Sequence, residues 1–155
     1  MSGVVRAVVW IVEGTWEAAV DAAATLLPPD ASVELLHVAG EAEAFLRAGQ
    51  RGLLGRHPPG GRGSGPDPVS SASAEEAEAL LADALARLGR NAATSARRGG
   101  TESEVLDAVR DADVLVLARD GEPDHLGPKS IGHATRFVLD HAPCDVVLVW
   151  GRTAS

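Results

Sequence analysis

Between Asp113 and Trp150 the chain carries two uninterrupted apolar runs, Val114-Leu115-Val116-Leu117-Ala118 and Val146-Val147-Leu148-Val149-Trp150. A loop with Gly121, Gly127 and Gly132 and a helical pattern through Phe137 and Val138 lie between them. An apolar run without polar alternation suits a strand buried on both faces. Two of them joined by a helix read as a βαβ unit of a parallel sheet. The glycines fall where a strand gives way to a helix, where backbone N–H groups and the positive helix end can meet a phosphate.

The rest of the chain repeats this alternation. Val4 to Val12 reads as a first strand, with Arg6 its only charge. Glu13-Gly14-Thr15 closes it, and Trp16, Val20, Ala23 and Leu27 then recur on one helical face. Thr15 is placed to cap that helix, Glu17 complements its dipole, and Pro28-Pro29 ends it. Val33 to Val38 is a second strand, and Glu41 to Leu54 is a helical stretch anchored by Phe45 and Leu46. Gly55 to Ser73 holds Gly, Pro or Ser at 13 of 19 positions, too little apolar surface to offset its chain entropy. It reads as a flexible insertion within one domain. The glycines of its 60–65 segment have neither a preceding strand nor a Lys-Ser/Thr ending, so it is a surface loop and not a phosphate loop.

Ser73-Ala74-Glu75-Glu76 has the form of a capping box, followed by a helix with Leu81, Leu85 and Leu88 inward and Gly89 as its stop. Asn91 to Arg97 is a strand by position. Thr101-Glu102-Ser103-Glu104 is a second capping box, opening a helix with Val105, Leu106 and Val109 inward. This order implies an open, doubly wound, parallel α/β sheet of five strands.

Composition excludes several functions. A chain of 155 residues that is 45% hydrophobic can bury one real core. With 2 Phe, 3 Trp and no Tyr, that core is built of aliphatic side chains. A net charge of −8 opposes both nucleic acid and anionic membrane surfaces. Cys144 is the single cysteine, which leaves no intrachain disulfide and fits a reducing compartment. With no signal-peptide pattern and no run of membrane-spanning length, a cytoplasmic protein is expected.

The segments Asp113 to Gly121 and Gly132 to Val149 resemble the C-terminal half of the universal stress protein family. That half runs strand, G-x-x-G, spacer, G-S or G-T, helix, an A-P-C-like turn and a last strand. Glu13-Gly14-Thr15 stands for the family's Asp-Gly-Ser, and Leu36-His37-Val38 matches the end of its second strand. The resemblance spans roughly residues 4–38 and 91–150. It implies an adenine-nucleotide-α-hydrolase-like fold with strand order 3-2-1-4-5. It also implies a homodimer joined through the last strand, Val146 to Trp150, with Val147, Val149 or Trp150 near the interface.

The family's nucleotide site, carried over by position, comprises Glu13, Gly14, Thr15, Val38, Ala118, Gly121, Gly132, His133 and Ala134. This chain departs from the pattern at three places. Ala118 stands where the first glycine belongs, the spacer from Gly121 to Gly132 is one residue longer, and His133 replaces the hydroxyl residue. Asp120, Glu122 and Asp124 crowd the loop with negative charge, which opposes ATP unless a divalent cation intervenes. Gly127-Pro128-Lys129-Ser130 lacks P-loop spacing, and Arg119 and Lys129 read as solvated cations. The histidines at 37, 57, 125, 133 and 141 have no metal-ligand spacing, and nothing activates Cys144.

Two readings stay open. One is a non-enzymatic stress-response or signalling module that acts through a protein partner, with nucleotide binding weakened or lost. The other is a member that binds ATP or AMP with magnesium through the altered loop. A catalytic constellation, as an enzyme of the wider α-hydrolase-like group would need, is not visible in the sequence.

Overall fold

The computed structural model describes residues 3–40, 68–119 and 131–151. Five parallel strands form one sheet: β1 (Arg6–Trp10), β2 (Ser32–Gly40), β3 (Ala93–Gly99), β4 (Val114–Arg119) and β5 (Asp145–Trp150). Four described helices connect them: α1 (Trp16–Leu26), α2 (Pro68–Leu88), α3 (Thr101–Ala108) and α4 (His133–His141). The strand order is β3-β2-β1-β4-β5, as the resemblance implies. One row runs across the whole sheet through Thr94, Leu35, Val9, Val116 and Val147.

Successive strand residues point to opposite faces, so each apolar run feeds two cores. Val9, Ile11, Leu35 and Val116 pack with Val20 and Ala23 of α1 and with Leu81 and Leu88 of α2. Val8, Trp10, Leu36, Leu115 and Leu117 pack with Val105 and Val109 of α3 and Val138 of α4. Leu35, Leu36 and Leu115 are fully buried. Each contributes about 1.5–3 kcal/mol through the apolar surface it removes from water.

Polar contacts fix the joints. The Asp113 carboxylate accepts the Arg6 backbone N–H at 2.8 Å, and the Asp113 N–H returns a bond to the Arg6 carbonyl at 2.8 Å. That pins the starts of β1 and β4 together. Arg90 donates to the carbonyls of Pro28, Pro29 and Ala31, clamping the turn after α1, where the Pro28 carbonyl also accepts the Ala31 N–H at 3.0 Å. Arg97 reaches Asp107 at 2.9 Å and Glu104 at 3.4 Å, tying edge strand β3 to α3. These bonds hold the Asp107 carboxyl below its ordinary value, the Arg97 hydrogen bond chiefly and the Arg110 charge next.

Helix starts differ from the sequence expectation in two places. Helix α2 begins at Pro68, so Ser73 lies inside it and the last six residues of the Gly/Pro/Ser stretch are helical. Proline costs nothing at a first helical position, where its missing N–H has no partner to lose. The Ala- and Leu-rich sequence that follows propagates the helix. Helix α3 is capped by Gly100 in extended conformation, and Thr101 is its first helical residue. Glu104 turns to Arg97 instead of closing a capping box. Thr15 does occupy the N-cap of α1, but without a side-chain capping bond. Phe137 is 39% exposed and stacks on His141 at 4.1 Å, so Val138 alone of that pair enters the core. The 41–54 helix and most of the insertion lie outside the described residues.

Candidate functional site

Strand β1 lies between β2 and β4; the helix after β1 packs on one face of the sheet and the helix after β4 on the other. At such a switch point the loops beyond the carboxyl ends diverge and leave a crevice. A cleft of about 650 Å³ opens there. Its floor is the ends of β1, β2 and β4, represented by Trp10, Ile11, Val38 and Ala118. The starts of two helices form one wall, with Thr101 and Glu102 from α3 and His133, Ala134 and Thr135 from α4. The turn after β1 supplies Val12, Glu13 and Thr15.

Local geometry explains how each part arrives. The Thr15 N–H bonds the Val12 carbonyl at 3.2 Å, closing a tight turn. Gly14 sits in that turn with φ of +91°, a conformation side-chain-bearing residues rarely adopt. The Ile11 N–H bonds the Leu36 carbonyl at 2.7 Å, and His37 Nδ1 bonds the Ile11 carbonyl at 2.9 Å. A carbonyl oxygen only accepts, so Nδ1 carries a proton in this bond. Helix α3 reaches the cleft because Gly40 has no side chain. A Cβ there would stand 2.8 Å from Thr101 Oγ1. After β5, Gly151 lies so close to the Arg119 carbonyl and the Thr15 side chain that a Cβ would meet both.

Of the nine residues expected in the site, Glu13, Thr15, Val38, Ala118, His133 and Ala134 line this cleft. Gly14 and Gly132 sit in the adjoining turns without lining it, Gly132 as the N-cap of α4. Gly121 lies outside the described residues, as do Asp120, Lys129 and the rest of the 120–130 loop. Sequence reasoning did not place Thr101, Glu102 or Gly40 in the site, nor Thr135, a buried hydroxyl residue two positions beyond the histidine that replaces the family's Ser or Thr. The spacing from Gly132 to Thr135 was the signal available for the last of these. His37 was visible only as part of a strand-end motif.

The cleft's charge is distinctive. Glu13 and Glu102 both line it, and among the described lining residues there is no Lys or Arg. Neither carboxylate forms an ion pair among the described residues, in contrast to Glu104 and Asp107. No group of acidic, His or Cys side chains suited to a metal ion occurs among the described residues. Cys144, half-buried at the start of β5, is remote from the cleft lining. Burial chiefly, and the carboxylates of Asp145 and Asp113 next, push its thiol pKa up, which disfavours the reactive thiolate. The guanidinium of Arg119 lies 3.9 Å over the ring of Trp150, joining the ends of β4 and β5.

No family model and no curated protein matches this sequence. Solved structures do share its fold. The hypothetical protein MJ0577 superimposes with a TM-score of 0.66 at 19% identity, over 97% of this chain and 98% of its own. Universal stress protein UspA from Lactobacillus plantarum does so with 0.62 at 19% identity, over 96% and 99%. A universal stress protein in complex with cAMP does so with 0.62 at 16% identity, over 97% and 100%. These likenesses establish an α/β architecture common to universal stress proteins across nearly the whole chain.

Proposed function

We propose that this chain is a single-domain, universal-stress-type binding module that holds an adenine-type ligand in the switch-point cleft, with a weakened grip on phosphate. The observation that carries the reading is the convergence of Glu13, Thr15, Val38, Ala118, His133 and Ala134 on one cleft. These residues are far apart in the chain and belong to the positions that the family uses for its nucleotide. The apolar floor suits a planar base, and the N-terminus of α4 has no acidic residue in its first turn, leaving its positive end open to an anionic group. The weakening has its reasons in the same residues. Ala118 is 7% exposed in the floor, and its Cβ limits how near a ligand comes to the backbone. His133 brings an imidazole where a small hydroxyl would donate.

The module is non-enzymatic in this reading and works through a partner protein in the cytoplasm. The described residues include no helix long and apolar enough to cross a membrane. Strand β5 is a sheet edge whose residues Val146 to Trp150 are all half-buried, which supports a homodimer formed along it. The second reading, ATP or AMP bound with magnesium, draws on the similar universal stress protein whose structure holds cAMP.

Mass spectrometry of the small molecules released on denaturing the purified protein, followed by calorimetric titration with AMP, tests the first reading. An adenine compound in the extract, or saturable heat with AMP, is the expected result. An empty extract and no heat would leave the cleft as a remnant.

A further inference from the structure

The cleft's electrostatics carry the argument further, toward the class of ligand it takes; this step rests on the reading just proposed. Glu13 and Glu102 both line a cavity with no Lys or Arg among its described lining residues. The two helix starts in its wall are not equivalent. Helix α3 already carries Glu102 and Glu104 in its first turn, so its positive end is met by the protein's own charge. Helix α4 carries no acidic residue in its first turn. The wall therefore offers one place for an anionic group and opposes a second.

The uncharged lining points the same way. His37, with Nδ1 committed to the Ile11 carbonyl, has only the acceptor Nε2 left in its neutral form. With the two carboxylates it makes the lining rich in acceptors. The hydroxyls of Thr101 and Thr135 can serve either role. Such a surface matches the hydroxyl and amino donors of a nucleoside and is mismatched to a chain of phosphates, which presents acceptors and negative charge only.

We propose that the cleft takes a nucleoside with at most one phosphate and rejects nucleoside triphosphates, with Glu102 the residue that sets this limit. Glu102 lies in the first turn of α3, so the selectivity belongs to the start of that helix and not to the glycine loop.

The test is calorimetric titration of the full chain with adenosine, AMP and ATP, each with and without magnesium, for the native protein, Glu102→Gln and Glu104→Gln. Glu104 is paired with Arg97 and does not line the cleft, so it controls for a general loss of charge. In the native protein without magnesium, adenosine and AMP should bind at least about tenfold more tightly than ATP, about 1.4 kcal/mol. Glu102→Gln should shrink that ratio to about threefold or less, because it removes a negative charge that repels ATP more strongly than AMP or adenosine. Glu104→Gln should leave the ratio as it is. ATP binding as tightly as AMP to the native protein, or a ratio unmoved by Glu102→Gln, would overturn the proposal while the binding-module reading stands. Absence of heat from all three ligands would overturn both.

Discussion

His37 Nδ1 bonds the carbonyl oxygen of Ile11 at 2.9 Å, joining the second strand to the first at the floor of the cleft. The bond carries the backbone pairing one step past the end of β1, whose last residue is Trp10. It also fixes the tautomer that the imidazole presents. His37→Phe keeps a ring of similar size and removes the donor, leaving the carbonyl of buried Ile11 one partner short. A loss of about 1 kcal/mol is expected, or roughly 3 °C in melting temperature for a chain of this length. Ligand affinity should fall with it. An unchanged melting temperature by differential scanning calorimetry would show that this bond is not structural.

Two closely packed glycines, Gly40 and Gly151, should respond differently to substitution. In Gly40→Ala the new Cβ meets only the hydroxyl of Thr101, at 2.8 Å. Overpacking of this kind costs about 1–3 kcal/mol. The further change Thr101→Ala removes the clashing atom and should recover most of that loss. In Gly151→Ala the Cβ meets the backbone carbonyl of Arg119 as well as Thr15, and backbone cannot step aside. Trimming Thr15 should therefore recover little. Urea midpoints of the single and double variants check both statements, and equal recovery at the two sites would refute the distinction.

Acid should weaken the joint between α1 and α2. Arg87 donates to both oxygens of Asp21 at 2.8 Å, and that hydrogen bond holds the Asp21 carboxyl below its ordinary value. A carboxyl with a lowered folded pKa stabilises fully above its unfolded value and loses the contribution as pH falls through the folded one. Asp21→Asn should thus be slightly less stable than the native protein at neutral pH and equal to it at strongly acid pH. The side chains of Arg87 and Asp21 are 42% and 45% exposed, so the difference is small and screened by salt. Melting curves against pH at low salt and at about 1 M salt, where the Debye length is near 3 Å, separate this pair from a buried one. A difference that persists in strong acid would contradict the assignment.

The β5 edge predicts association. Sedimentation equilibrium of the purified protein should show a dimer that dissociates on dilution. Trp150→Lys places a charge at the strand's end and should shift the equilibrium to monomer without changing the far-ultraviolet circular dichroism, since only the stack with Arg119 is lost within the chain. A native protein that sediments as a monomer at every concentration would rule out the edge as an interface.

Most of the fold was legible because its signals are local. The pairs Val8/Val9, Leu35/Leu36 and Leu115/Val116 each send neighbouring apolar side chains to opposite faces, and only a sheet covered on both sides buries both. Helix boundaries were less legible. Ser73 and Thr101 have the composition of N-caps, yet α2 starts earlier and Glu104 is drawn to Arg97, a partner from β3. Local capping energies of about 1 kcal/mol yield readily to such tertiary contacts.

The site divides in the same way. Glu13, Thr15, Val38, Ala118, His133 and Ala134 follow strand ends or open a helix; the alternation of strands and helices placed them at loop ends, and the family resemblance supplied the strand order that gathers them at the switch point. Thr101 and Glu102 follow an edge strand, and no periodicity brings them there. They reach the cleft because Gly40 leaves room for Thr101 at the end of β2. The sequence by itself determined the alternation of buried strands and helices, and its family resemblance the strand order that puts the crevice beside β1, since both rest on local runs and motifs. Only the tertiary structure added Glu102 to Glu13, because the packing of the start of α3 against the end of β2 brings a carboxylate from elsewhere in the chain.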